Sequence, residues 1–173
     1  AYYIDWSDIQ IRSWDIEAQA GRIQNAGKAE VFGFETEIDY QATDNLYLSA
    51  NYGYIDASLA EDFLNTQNNP PTVTAAEGSR LPGSSKNTFS LLADWQIPLT
   101  SSFDLQANAN YRYVGSRPNV LGAGVEGIAI PFPDDIPSFS VVNLSAGVSH
   151  DNGVTASLFA NNLFDKRALQ TRL

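Results

Sequence analysis

Residues 103–113 alternate apolar and polar side chains without a single exception. Side chains of a β-strand point to opposite faces with a period of two, so this run predicts a strand with one apolar and one polar face. A half-buried strand of a soluble protein has the same pattern. Here, however, the pattern recurs along most of the chain in segments of roughly 10 residues separated by turns, which is typical of a transmembrane β-barrel.

The same alternation predicts seven strands in all. They lie at about 2–11, 28–41, 46–57, 87–98, 103–114, 139–149 and 153–164. Short connections at 42–45, 98–102 and 150–153 alternate strictly with long ones at 12–27, 58–86 and 115–138. Because outer-membrane barrels have short periplasmic turns and long extracellular loops, we expect antiparallel strands in up-and-down order, with the long loops outside. An open seven-stranded sheet would leave two unpaired edges in lipid, so the chain is expected to be a piece of a larger barrel.

The alternation also assigns side chains to the two faces. The residues expected to face lipid are Leu105, Ala107, Ala109, Leu144, Ala146, Leu158 and Ala160. Those expected to face the lumen are Gln106, Asn108, Asn110, Asn143 and Ser145. One face of the second predicted strand carries three carboxylates, those of Glu35, Glu37 and Asp39, so this face cannot contact lipid.

Composition excludes several classes of protein. The chain has no Cys, so it holds neither a disulfide nor a thiolate metal site. No apolar run approaches the roughly 18 residues that a membrane helix needs. The net charge of −10 disfavours nucleic acid as a partner. Met is absent even at position 1, and the chain begins directly in strand-like sequence, which indicates an internal fragment or a processed product.

Nothing in the sequence indicates catalysis. The single histidine, His150, lies in a short turn beside Asp151. A Ser-His-Asp hydrolase would need this histidine beside a serine on the outer wall, at the opposite end of the strand. No nucleophile elbow, phosphate-binding loop or calcium-loop spacing occurs. We therefore expect no enzyme, no catalytic residue, no metal site and no cofactor.

Four segments resemble the C-terminal part of the barrel of TonB-dependent receptors, and they occur in the order found in that family. They are YYIDWSDIQ at 2–10, NAGKAEVFGFETEIDYQATDNLYLSANYGYIDA at 25–57, LPGSSKNTFSL at 81–91 and VVNLSAGVSHDNGVTASLFANNLFDK at 141–166. The last is the most specific, while Gly-Ser-Ser at 83–85 replaces a proline usual in the family. The resemblance implies a barrel of roughly 22 strands with a plugged lumen, of which this chain holds about a third and lacks the N-terminal plug and the last strand.

The resemblance also implies a function. It implies a monomeric receptor in the outer membrane of a Gram-negative bacterium that imports a scarce, large ligand, first of all an iron–siderophore complex. Haem, cobalamin and carbohydrates are the other ligands of the family. The implied partners are TonB–ExbB–ExbD, contacted through the plug, the barrel-assembly machinery, and outer-membrane lipid and lipopolysaccharide. A passive porin or substrate channel is the alternative, and an upstream plug would distinguish the two.

Ligand contacts are expected in the loops at 58–86 and 115–138, because binding residues favour loops held by a rigid scaffold. Arg112 and Arg117 are candidates for an anionic ligand, although lipopolysaccharide or loop acids could equally pair with them. Asp134 and Asp135 are candidates for an iron chelate or calcium, with a solvated acidic pair as the alternative. The carboxylates at 35–39 line a polar lumen or meet a cation or a basic plug residue.

Overall fold

The structure is a computed structural model that describes residues 1–15, 20–65, 70–122 and 135–170. These residues form eleven strands: β1 Tyr2–Trp6, β2 Gln10–Asp15, β3 Ala20–Asn25, β4 Ala29–Thr43, β5 Leu46–Leu59, β6 Phe63–Asn65, β7 Thr72–Ala75, β8 Asn87–Pro98, β9 Phe103–Val114, β10 Phe139–His150 and β11 Thr155–Ala160. The described part of the chain contains no helix, and hence none that is long and apolar enough to cross a membrane.

Seven of the strands form one antiparallel sheet in the order β1-β4-β5-β8-β9-β10-β11. The two departures from consecutive order arise because β2–β3 and β6–β7 pair with each other as separate hairpins between strands of the main sheet. The main sheet therefore confirms the predicted all-β, antiparallel up-and-down order. It is open, with β1 and β11 as its edges, as a part of a barrel would be.

The predicted strand over 2–11 is wrong in its extent. β1 ends at Trp6, because Asp8 adopts a φ of 56°, in the left-handed region that strand residues avoid. The chain then turns into the β2–β3 hairpin, within the region predicted as the loop at 12–27. Asn25 fixes this turn by donating from Nδ2 to Oδ1 of Asp8 at 3.1 Å.

Other boundaries also differ from the prediction. β5 continues to Leu59, and the predicted loop at 58–86 contains the β6–β7 hairpin. The last strand ends at Ala160 rather than at 164. Asn162 and Asp165 adopt φ values of 52° and 47°, and the amide of Asp165 donates to the carbonyl of Asn162 at 2.8 Å, so a turn replaces the end of the predicted strand.

The register confirms that the sheet has one apolar and one polar face. Directly paired residues share a face, and one row across the sheet runs Trp95–Ala107–Ala146–Leu158. The next row, on the opposite face, runs Asp94–Asn108–Ser145–Phe159. On this polar face Asn108 Nδ2 donates to Asp94 Oδ1 at 2.7 Å. On the apolar face large side chains stay uncovered by the chain itself, and Leu158 is 82% exposed.

Candidate ligand site at the loop end of the sheet

The long connections all leave the same end of the main sheet, and there they pack together. Their contact is a cluster of buried apolar residues, here called the loop-end core, which consists of Ile9, Ala26, Ala29, Leu59, Phe63 and Ala75, with Ile11, Leu81 and Leu121 packed against it. Its buried members come from β4, β5 and the first two long connections, and Leu121 of the third connection packs against them. Burial of apolar surface therefore holds these connections to one another as well as to the sheet.

Hydrogen bonds between the connections reinforce this packing. Ser85 Oγ donates to the carbonyl of Gly115 at 2.7 Å, and the amide of Gly83 donates to the carbonyl of Pro118 at 2.9 Å. On the other side, the amide of Ala60 donates to the carbonyl preceding β4, that of residue 28, at 2.9 Å. The connection at 58–86 is thus bonded to both of its neighbours.

Two glycines in left-handed conformations allow this packing to be tested. A Cβ at Gly122, which has φ 78°, would lie 2.8 Å from the backbone oxygen of Thr74, whereas a Cβ at Gly78, with φ 80°, would meet nothing within 4 Å. We expect Gly78→Ala to cost about 1–2 kcal/mol through backbone strain alone. Gly122→Ala should cost at least about 1 kcal/mol more, because it also overpacks the contact. Protease cleavage of the loops on whole cells measures the difference, and equal sensitivity of the two variants would contradict the contact.

The structure places Arg117 in the interior of this end. Its side chain is only 8% exposed, and its backbone pairs with that of Ile136 through hydrogen bonds of 3.1 and 2.9 Å. The guanidinium Nη2 donates to the carbonyl of Leu169 at 3.3 Å and to the Oε1 of Gln170 at 3.4 Å. Arg117 therefore holds the segment after β11 against the connection at 115–138, and its Nη2 already has acceptors within the chain.

Arg112 has different surroundings. It lies on the polar face of β9, directly opposite Ser90 of β8 and Val141 of β10, with its side chain exposed. Asp135, the other described candidate, is an exposed residue next to Ile136. Asp134 lies outside the described residues. The three described candidates are thus distributed over a strand, a buried contact and a loop.

The carboxylates of β4 line the polar face, and one of them is hydrogen-bonded. The hydroxyl of Tyr47 donates to Asp39 Oδ1 at 2.7 Å, while Glu37 lies opposite Asn51. Within the described residues no group of three or more His, Cys, Asp or Glu side chains is arranged to hold a metal ion. The sequence reading missed Asp94 as a further member of this face, although the alternation of β8 places it there.

His150 lies at the other end of the sheet. Its ring contacts that of Phe103 edge to face at 4.5 Å between centroids, and its Nδ1 accepts from the amide of Asn152 at 3.1 Å. These contacts account for its position in the turn between β10 and β11.

Curated relatives and solved structures are similar to this chain. The metal-pseudopaline receptors CntO of two Pseudomonas aeruginosa strains, UCBPP-PA14 and PAO1, are 29% identical over 147 residues, which make up 85% of this chain and 18% of each relative. The crystal structure of the siderophore receptor PiuA from Acinetobacter baumannii superposes with a TM-score of 0.63 at 22% identity, over 86% of this chain and 20% of that one. The chain thus spans about a fifth of the length of the proteins that it matches.

The family described as TonB dependent receptor-like, beta-barrel matches residues 1–163. This range covers every strand of the main sheet. The chain therefore belongs to the TonB-dependent receptor β-barrel family, as its sequence motifs predicted.

Proposed function

We propose that the protein to which this chain belongs is an outer-membrane receptor of Gram-negative bacteria for the TonB-energised uptake of a metal chelate, with an iron–siderophore complex as the first candidate. The observation that carries this proposal is the family match over residues 1–163 on an amphipathic antiparallel sheet. The names of the relatives, a metal-pseudopaline receptor and a siderophore receptor, support a metal chelate as the ligand.

The two faces of the sheet fit a wall between lipid and water. In a bilayer every backbone polar group must be satisfied internally, so the unpaired edges of β1 and β11 require further strands of the same barrel. We place the chain in the C-terminal part of that barrel, as the order of its motifs implies. The apolar face then contacts lipid, and the face with Asp94 and Asn108 lines the lumen.

The loop-end core suits ligand capture at the outer surface. It fixes the three long connections to the ends of β4 and β5, so that residues on their exposed sides keep a defined position over the lumen. A rigidly held loop loses less conformational freedom on binding, which favours affinity for a dilute ligand. Release into the lumen then requires energy, which we assign to TonB and its partners ExbB and ExbD acting through an N-terminal plug.

The experiment replaces residues 123–134 of the intact receptor with a short Gly–Ser linker. This change leaves the Arg117–Ile136 pairing and Leu121 in place, so the loop-end core is retained. Uptake of radiolabelled ferric siderophores under iron limitation should fall about tenfold or more, which corresponds to a loss of about 1.4 kcal/mol in binding. The same linker at 99–102, in the short turn between β8 and β9 at the other end of the sheet, controls for the loss of residues as such.

Two results would contradict the proposal at different levels. Unchanged uptake of every ferric chelate, together with lost uptake of a sugar or of cobalamin, would contradict the iron assignment and leave a receptor. Wild-type uptake that continues in a strain without TonB would contradict the receptor itself and favour a passive porin.

A further inference from the structure

Arg112 is the one cationic side chain on the polar face of the main sheet, as far as the described residues extend. The register places the carboxylates of that face on the same side as Arg112; they are Glu35, Glu37, Asp39, Asp94 and Asp104. A single positive charge on an otherwise neutral or acidic wall makes the electrostatic potential of the lumen more positive near Arg112 than along the rest of the face.

The sheet itself does not neutralise this charge. In the row Glu37–Asn51–Ser90–Arg112–Val141, two neutral residues separate Arg112 from Glu37. At the usual spacing of neighbouring strands, three steps place their Cα atoms roughly 14 Å apart, which is longer than the Debye length of about 8 Å at physiological salt. Within the described residues the Arg112 side chain has neither a hydrogen bond nor an ion pair.

Three other cations at this end are already engaged. Lys86 Nζ lies 2.7 Å from Asp56 Oδ2, and Arg80 Nη2 donates to the carbonyl of Ser84 at 2.9 Å. Arg117 donates to the segment after β11. Arg112 differs from these three because it lies within a paired strand, two residues before the end of β9, with its side chain exposed.

The residues beside Arg112 complete a site for an amphipathic anion. Toward the loop end, the next positions on the same face are Val114 of β9 and its directly paired neighbour Phe139 of β10, and Val141 lies opposite Arg112 itself. An apolar wall next to a guanidinium can contact the hydrocarbon part of a ligand while the planar fork of donors takes two oxygens of an anionic group.

We propose that Arg112 is an anion-recognition residue of the lumen wall, which binds an anionic oxygen group of the chelate as it passes from the loops toward the lumen. This inference rests on the proposed function for the class of ligand. The carboxylates of β4, together with Asp94 and Asp104, repel the same anionic group, so the group is held at the loop end of β8, β9 and β10, with Val114 and Phe139 beside the apolar part of the ligand.

The test compares how fast an anionic and a cationic thiol reagent label a cysteine beside Arg112, in the intact receptor on whole cells. Val141→Cys, with any other cysteine of the receptor replaced by Ser, is labelled from outside with two thiol reagents of similar size. One is the anionic sulfonatoethyl methanethiosulfonate and the other is the cationic trimethylammonioethyl methanethiosulfonate. Since Val141 is the direct pair of Arg112, the anionic reagent should react about 3- to 10-fold faster than the cationic one.

Arg112→Gln in the same background should abolish or reverse this ratio. Lys28→Gln, which removes the same charge from an exposed position before β4, should leave the ratio unchanged. A ratio that Arg112→Gln does not alter, or a cysteine that neither reagent reaches, would overturn the proposal, because the guanidinium would then be neutralised or covered by another part of the receptor. Neither result depends on TonB, so failure of the proposed function remains distinguishable from failure of this inference.

Discussion

An Ala107→Arg substitution in the intact receptor is expected to lower the free energy of unfolding by about 2–4 kcal/mol. Ala107 lies near the middle of β9, between Trp95 of β8 and Ala146 of β10, on the apolar face. If this face contacts lipid, as we propose, an arginine there must place its charge at the depth of the hydrocarbon core. Reversible unfolding of the receptor in phospholipid vesicles by guanidinium chloride measures the loss.

Asn108→Arg is the matched control, since it adds the same side chain one residue further along the same strand. Asn108 lies on the polar face and bonds to Asp94, so the new guanidinium would meet water and a carboxylate. We expect a cost below about 1 kcal/mol. A larger loss for Asn108→Arg than for Ala107→Arg would show that the faces are assigned the wrong way round.

The strands that the sequence predicted accurately are those whose pattern is local. β8 and β9 have the predicted bounds of 87–98 and 103–114, because each alternates continuously and is flanked by a short turn. In such a strand the polarity of each residue indicates the face on which its side chain lies, and the hydrogen bonds to neighbouring strands follow from the up-and-down order. The family motifs added the expected size of the barrel, roughly 22 strands with a plugged lumen, which no local pattern contains.

The loop-end core could not be predicted in the same way. Ile9 and Phe63 each lie in a largely polar stretch of the chain, and they are 54 positions apart in the sequence. Their burial depends on how two hairpins fold back over the end of the sheet, which is a tertiary effect. The one local signal in the sequence is the loss of alternation at Asp8 and Ile9, where the structure has a left-handed residue at Asp8.

The two arginines show the same limit for the candidate site. Five positions separate Arg112 from Arg117, and the sequence grouped them as one possible anion site. The structure separates them, because Arg117 contacts Leu169, a residue 52 positions later. Whether an arginine is free to bind a ligand is decided by such distant acceptors, and alternation along a strand carries no information about them.

Phe63→Ala is expected to destabilise the loop-end core by about 3–5 kcal/mol, the usual cost of removing a buried aromatic side chain. Phe63 is 4% exposed and is a member of the loop-end core. Amides bonded within this core should report the loss by faster hydrogen exchange, including Ile9, whose amide donates to Gly27 at 3.0 Å, and Ala26, whose amide donates to Ile9 at 2.8 Å. If they exchange through opening of the core, their rates should rise at least about 100-fold, since each 1.4 kcal/mol is a factor of ten.

Leu64→Ala provides the control from the neighbouring position of β6. Leu64 points away from the core and is 41% exposed, so its truncation should change the same exchange rates by less than about threefold, or about 0.5 kcal/mol. The main sheet should exchange alike in both variants, because the ladder of β8 and β9 does not pass through the core. Equal acceleration by Phe63→Ala and Leu64→Ala would mean that the connections are not held together by this cluster. Acceleration confined to β6 would mean that the three connections open independently, and the loops could then not present a ligand from one fixed arrangement.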